Sequence, residues 1–539
     1  MSSLLLRAGH IYSPEDPFAT AILVVDGDVA WIGDEGGADV HAADMDAVVH
    51  LHGALVTPAF VDAHVHTTST GLTLTGLDLT GTSSMIDCLH ALRSFTAPGS
   101  VILGHGWDES TWPDGRVPTT AEIDAAVGDM PVYLTRIDVH SALVSSALRR
   151  MRPDAVMMRG WDPTGPVSRE AHHALRDAAL GMVSADHRSH AQQMALGVAA
   201  SRGIASVHEN GGPSISSRDD FLEVLNLGAD PQYPEVIGYW GRLHGQDEAA
   251  ALGARGAAGD LFVDGSLGSH TACLLDPYAD QRESRGTAYL DADDVAEHIV
   301  ASTEAGQQGG FHVIGDGATQ IVADGFSLAR RRIGADRLRA ARHRLEHLEM
   351  PSSDHLRFFS DIGVVASVQP AFDAAWGGPS GMYSQRLGVT RAQTLNPFAH
   401  MTSTGVVLAF GSDAPVTPLD PWGSVRAAAW HHTVDHRISV RSAFAAHTRG
   451  GRRAARDEAR EPGVLMRGAP ATYAIWAPGP LAVQAPDGRV AAWSTDPRSG
   501  TPPLPDLQGS QPVCWRTVRA GAVIFDSGDL DGGATVSGP

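Results

Sequence analysis

Thr57-Pro58-Ala59-Phe60-Val61-Asp62-Ala63-His64-Val65-His66 is an apolar run that ends in two histidines one residue apart. In an extended strand, residues i and i+2 point to the same side. Both imidazoles therefore leave one face at the C-terminal end of the run. Neutral imidazole is a preferred ligand of divalent transition metals. The pair predicts one wall of a metal site. Its position predicts the first strand of a parallel sheet, where active residues gather at the C-terminal strand ends.

Further apolar runs follow at 204–207, 236–240, 261–263, 311–314, 344–348, 364–368 and 406–410, separated by Ala- and Arg-rich helical stretches. With 55–63 they make eight, the number a closed parallel barrel needs. The expected class is α/β: a TIM-like (β/α)8 barrel over 55–459 with a large insertion after strand 1, at about 70–201. The insertion has strand-like runs of its own at 101–103 and 132–134. Strand patterns also occupy both ends of the chain, at 22–25, 29–32, 473–476, 489–493 and 513–525. They predict a small β-sandwich domain built from both termini, 1–54 and 460–539, in which the Pro/Gly/Asp-rich stretch 477–511 is a surface loop. No repeat of 20–50 residues interrupts this plan.

Three later strands carry further ligand types. His312 lies in Gly310-Phe311-His312-Val313-Ile314-Gly315-Asp316, His347 in His343-Arg344-Leu345-Glu346-His347, and Asp413 follows Phe410-Gly411-Ser412. One such residue alone is ordinary core or surface. Three at strands five, six and eight, after a His-x-His on strand one, describe a constellation. His343 lies four residues before His347, toward the barrel floor, and reads as structural. Trp107, Asp108, Arg136 and His140 in the insertion, and His208 (beside Glu209) after strand two, are candidates for the substrate pocket.

The chain of 539 residues is 43% hydrophobic and 19% charged, enough apolar material for one large core and a companion domain. Its formal net charge of −22 and lack of basic runs argue against nucleic acid and anionic membranes as partners. No apolar stretch is long enough to span a bilayer, and residues 1–12 lack a signal-peptide pattern. The three cysteines, Cys88, Cys273 and Cys514, form no framework of disulfides or CxxC pairs. These features predict a cytoplasmic protein acting on a small molecule, and they are compatible with a homodimer. All of the basic residues are arginine; there is no lysine.

The segments TPAFVDAHVH, HGWDESTWPDG, PVYLTRIDVHSALVSSAL, GIASVHENGG, LFVDGSLGSHTA, FHVIGDGA, HRLEHLE and GSDAPV resemble the amidohydrolase superfamily, and within it the amidohydrolase-3 (YtcJ-like) branch. That resemblance implies a hydrolase in which metal-activated water attacks an amide or related C–N bond. It implies that His64 and His66 hold a first divalent metal with Asp413. His312 and His347 then serve a second metal or position water and substrate. Asp413 carries the proton from water to the leaving nitrogen, and a histidine not used as a ligand, such as His347, steadies the oxyanion. Zn suits the donors, as do Mn, Fe, Co and Ni.

One position departs from the pattern. Relatives carry a lysine at the head of K-L-F-x-D-G whose carboxylated form bridges two metals; this chain has Asp260-Leu261-Phe262-Val263-Asp264-Gly265. A carbamate bridge is excluded. Asp260, several bonds shorter, either binds an ion through water or falls short, which favours one tightly held metal. Two other functions compete with an amide hydrolase. A mononuclear deaminase of a heterocycle expects glutamate three residues after the strand-five histidine, where this chain has Gly315. A non-catalytic ligand-binding relative expects lost ligands, and only the lysine is lost.

Overall fold

Eight parallel strands carry the middle of the chain: β1 (Phe60–Val65), β2 (Ile204–Gly211), β3 (Glu235–Trp240), β4 (Gly256–Ala257), β5 (Gln308–Val313), β6 (Arg344–His347), β7 (Val365–Val368) and β8 (Val407–Phe410). The structure is a computed structural model that describes residues 2–97, 99–113, 115–484, 493–494 and 502–530. β1 to β3 pair in one run and β4 to β8 in another. Backbone bonds join the runs at both seams. Arg255 N donates to Gly238 O at 2.7 Å, and on the other side His66 N donates to Ala414 O (3.0 Å) and Asp413 N to His64 O (2.8 Å). The result is an α/β, TIM-barrel-like arrangement. Nearly every strand residue is buried, as a parallel sheet covered by helices requires.

Two strands differ from expectation. The run 55–63 is two strands: Leu55–Pro58 pairs with His10–Ile11 and Tyr473–Trp476, and only Phe60–Val65 joins β2. Pro58 lacks an N–H and interrupts the ladder between them. The fourth strand is not 261–263. It pairs earlier, with Gly256 and Ala257 opposite Gln308 and Gly309, and then touches β5 again only where Phe262 faces His312. Five steps along the fourth segment match three along β5, so the segment bulges around Asp260 and turns that side chain toward the barrel axis.

The terminal segments form three sheets; the smallest, of Trp493–Ser494, Leu481–Gln484 and Leu504–Pro505, lies within the stretch 477–511 expected to be a surface loop. Ser3–Arg7, Ala21–Val25, Asp28–Gly33 and Ala47–His50 make one of four strands. His10–Ile11, Leu55–Pro58, Tyr473–Trp476, Cys514–Arg519 and Ala522–Asp526 make one of five, drawn from both ends of the chain. Leu6, Ile22 and Val24 of the first share an apolar cluster with Val56, Ile475 and Val518 of the second. The run 513–525 is a hairpin that turns at Ala520 and Gly521, both with positive φ. The run 489–493 lies, apart from Trp493, outside the described residues.

The insertion contains a five-stranded sheet in the order Val167–Ser168, Ser141–Val144, Val132–Arg136, Ile102–Trp107 and Leu77–Asp78. Thr67–Thr75, the helix that follows β1, packs on Ala185–Ser201 at Gly71, where a Cβ would meet Ala191 O at 1.8 Å. That close approach holds the insertion against the mouth of β1. Among the described residues no helix is long and apolar enough to cross a membrane.

Candidate metal centre

The side chains of His64, His66, His312, His347, Asp260 and Asp413 meet at the C-terminal ends of β1, β5, β6 and β8 and in the β4 bulge. All six are buried. Donor atoms of His64, His66, Asp260 and Asp413 lie within 4.8 Å of one another, as do those of Asp260, His312 and His347. Asp260 belongs to both sets. Its Oδ1 is 3.6 Å from His64 Nε2 and 3.5 Å from both His312 Nδ1 and His347 Nε2; its Oδ2 is 3.2 Å from His66 Nε2. Asp413 Oδ1 lies 3.3 Å from His64 Nε2 and 3.1 Å from His66 Nε2. The short aspartate thus spans the cluster, which its side-chain length alone did not suggest.

These donors fit a divalent cation on local grounds. His64 Nε2, His347 Nε2, His312 Nδ1, Asp260 Oδ1 and Asp413 Oδ1 are buried atoms without a hydrogen-bond partner among the described residues. Leaving one such atom unsatisfied costs about 1–3 kcal/mol, so five aimed at one another call for a shared counter-group. The opposite ring nitrogens are committed. His64 Nδ1 donates to Glu346 Oε2 (2.9 Å), His66 Nδ1 donates to Asn210 O (3.0 Å), and His347 Nδ1 is 2.8 Å from Gln369 Oε1. Each bond fixes ring orientation and leaves Nε2 as the lone pair, the arrangement found behind metal-bound histidines.

Glu346, Asn210 and Gln369 escaped the sequence reading. Only Glu346 had a visible signal, as the i+2 partner of Arg344 on one strand. Arg344 Nε donates to Glu346 Oε1 at 2.6 Å, and its Nη2 reaches Ala63 O at 2.8 Å, so the pair locks β6 to β1 behind His64.

Electrostatics match the geometry. Burial disfavours a charged His66, yet Asp260 and Asp413 outweigh it and raise its pKa to about 9. Burial would likewise raise Asp260 and Asp413, but His64 and the neighbouring imidazoles hold both carboxyls below their ordinary range. Two further buried carboxylates tie the loops together. Asp62 Oδ1 accepts from Ser412 N (2.9 Å) and His64 N (3.2 Å), linking β1 to the Asp413 loop. Asp264 accepts from Cys273 N, Ile314 N and Gly315 N at 2.8–3.0 Å, linking the β4 segment to the loop after His312. Backbone strain marks the ligands as well: His347 has φ 70° and Asp413 φ 55°. A non-glycine residue there costs about 1–3 kcal/mol and persists only where its surroundings dictate it.

The amidohydrolase family (Amidohydro_3) matches residues 47–525. The chain belongs to that family. Among curated proteins it is 29% identical to Protein LONG AFTER FAR-RED 3 of Arabidopsis thaliana over 84% of either chain. It is 26% identical to the putative amidohydrolase YtcJ of Bacillus subtilis (strain 168), over 78% of this chain and 82% of that one. It is also 22% identical to the N-substituted formamide deformylase of Arthrobacter pascens, over 75% and 78%. Among solved structures, an uncharacterized metal-dependent hydrolase from Pyrococcus furiosus superposes with a TM-score of 0.68 at 28% identity, covering 88% of this chain and 98% of that chain.

In this amidohydrolase a cavity opens above the cluster, floored by His66, Asp260, His312, His347 and Asp413. Leu72, Leu103, Val139, Leu180, Ile215 and Phe262 give it apolar walls. Of the expected pocket residues, His140 lines it; its ring centroid is 5.4 Å from that of His312. The others are not on the wall. Trp107 is buried with its indole N–H on Leu134 O (2.8 Å). Arg136 is saturated by Asp108, Glu109 and Asp138 at 2.8–3.1 Å, which accounts for Asp108 as well. His208 lies deeper in the barrel, beside Arg344 Nη1 at 3.1 Å, because β2 runs on to Gly211 instead of ending at 207. His343 is structural: Gly309 N donates to its Nδ1 (2.9 Å) and Thr303 Oγ1 meets its Nε2 (2.9 Å).

Proposed function

We propose that this protein hydrolyses an amide-type C–N bond of a small molecule at a divalent metal centre, with N-formyl and N-acyl amines and cyclic amides as its substrate classes. The observation that carries the reading is the set of five orphaned donor atoms, four of them on residues that floor an apolar cavity. The similarity to a protein named as a formamide deformylase supports that class.

In this reading the metal is held most tightly by His64, His66, Asp260 and Asp413, with His312 and His347 sharing Asp260 in a second, weaker set. A cation held there would supply Lewis-acid polarisation of the carbonyl and would acidify water, to a pKa of about 7. The Asp413 carboxylate accepts a proton from the attacking water and returns it to the leaving nitrogen as the C–N bond breaks, which yields a carboxylic acid and an amine. His140 Nδ1 is 2.6 Å from the Asp138 carbonyl, so that nitrogen carries the proton. Its Nε2, buried and without a hydrogen-bond partner among the described residues, is an acceptor on a cavity-lining side chain that can orient a substrate N–H. The eight strands act as one closed (β/α)8 barrel, and the terminal sheets as one composite sandwich domain.

Deamination has less support. A glutamate at 315 has no room, because a Cβ there would sit 1.9 Å from Cys273 O.

Elemental analysis of the purified protein, with a screen of N-formyl amines, N-acyl amines and cyclic amides, tests the proposal. His64→Ala is expected to lose most bound metal and all turnover. Unchanged metal content in that variant would overturn the ligand assignment, and a metal-loaded wild type inert toward every class would overturn the reaction.

A further inference from the structure

The cavity wall has an unusual charge pattern. Among the described residues its only carboxylates are Asp260 and Asp413 in the metal cluster, and its only permanent cation is Arg176, on the helix Arg169–Leu180 of the insertion. Neighbouring arginines of the same stretch hold carboxylates: Arg136 has three, Arg152 has Asp154 and Arg159 has Glu170. Arg176 has none within 4.0 Å among the described residues. Its Nη2 is 3.2 Å from His173 Nδ1, and its Nε is buried without a hydrogen-bond partner. Asp177, next along the helix, is exposed.

The histidines around Arg176 do not add positive charge. Burial pushes His173 down to about 3 and His172 well below its ordinary range, and the guanidinium pushes in the same direction. Asp177 acts on Arg176 only through space, and a guanidinium in a cavity wall with no carboxylate in ion-pair contact is a recognition element for a planar anion. One charge matches a carboxylate. A phosphate dianion would leave a charge unpaired in an apolar cavity that already faces two aspartates.

Position sets the spacing. Arg176 meets His173, whose ring lies 6.0 Å from Phe262, and Phe262 lies 4.8 Å from His312. Two ring contacts therefore separate the guanidinium from the metal cluster. A carboxylate set off from the amide by an apolar chain suits this path.

We propose that the substrate is an amide whose apolar body ends in a carboxylate, and that Arg176 binds this carboxylate while the amide lies over the metal centre. N-acyl or N-formyl ω-amino acids have this form. The proposal rests on the hydrolase reading above, and its test has an arm that does not.

The first arm compares kcat/KM for N-formyl ω-amino acids, from N-formylglycine to N-formyl-8-aminooctanoate, with N-formylalkylamines of equal length. In the wild type the longer carboxylates are expected to exceed their neutral partners at least tenfold, or about 1.4 kcal/mol, and N-formylglycine is not. In Arg176→Gln the carboxylate-to-neutral ratio is expected to fall to about one, and Arg176→Lys to recover part of it. A wild type with no preference, or a preference that survives Arg176→Gln, overturns the proposal.

The second arm is calorimetry of octanoate against octanol on the metal-loaded protein, which needs no turnover. Octanoate binding at least tenfold weaker in Arg176→Gln supports the carboxylate site even if every formamide is inert. Equal binding to both proteins overturns the site whatever the reaction proves to be.

Discussion

Asp260 concentrates the chemistry of this site in one residue. Its two oxygens lie 3.2–3.6 Å from four imidazole nitrogens, so it is the donor common to both halves of the cluster. Asp260→Asn preserves shape and removes charge. It is expected to lower metal content, first by losing the ion held through His312 and His347, and then to weaken the site around His64 and His66. Elemental analysis after dialysis measures this; full occupancy in the variant would remove Asp260 from the ligand set. The sequence showed an acidic residue where a lysine was expected, but not its reach. Reach depends on the extra residues in the bulge beside β5, which only pairing reveals. His347 was legible as a candidate but not its route. In β6, Arg344 and Glu346 face β1, and His347 turns to the cluster through a positive φ that strand alternation does not foresee.

At the scale of elements, β3 is anchored at its start by charge. Glu235 accepts from Arg452 Nη1 at 2.5 Å and also pairs with Arg460; Arg452, almost fully buried, holds Asp457 (3.2 Å) and Glu461 (2.9 Å) as well. Burial alone would raise the Glu235 carboxyl, but Arg452 and Arg460 outweigh it and its pKa is lowered in the folded state. A lowered folded-state value means stability that is present above the ordinary carboxylate range, near pH 4.3. That stability is lost as pH falls through the folded value. Glu235→Gln is therefore expected to cost about 1–3 kcal/mol at neutral pH, since two carboxylates remain on Arg452. The difference from wild type should shrink below about pH 4. Urea unfolding at both pH values checks it, and a pH-independent difference would show that shape, not charge, holds the strand. The helices were legible only as Ala- and Arg-rich stretches between the strands; their ends, capped by residues such as Asp291 before Ala292–Glu304 and Ser352 before Ser353–Asp361, come from the structure. The break at Pro58 and the early start of β4 were not, since both depend on which neighbour offers a free edge.

For the whole molecule, the absence of lysine is the most consequential fact of composition. No carbamate can form in a chain whose only other amine is its N-terminus, remote in sequence from the site. Metal loading is therefore expected to proceed equally well with and without bicarbonate. A strict bicarbonate requirement in reconstitution would contradict the aspartate-bridged reading. What the amino-acid order determined by itself is local: a His-x-His pair at the end of an apolar strand, ligand types at the ends of later strands, and β patterns at both termini. These follow from side-chain alternation and turn chemistry within a few residues. What only the tertiary structure decided is convergence. Asp260 reaches four histidines; Glu346 and Asn210 orient rings from strands 282 and 144 residues away in the chain, and Gln369 does so from 22 residues on. The insertion adds Leu72, Leu103, Val139, Leu180 and Arg176 to the wall of the cavity over the site. Those distances are set by strand pairing and packing between segments tens to hundreds of residues apart, and no local pattern encodes them.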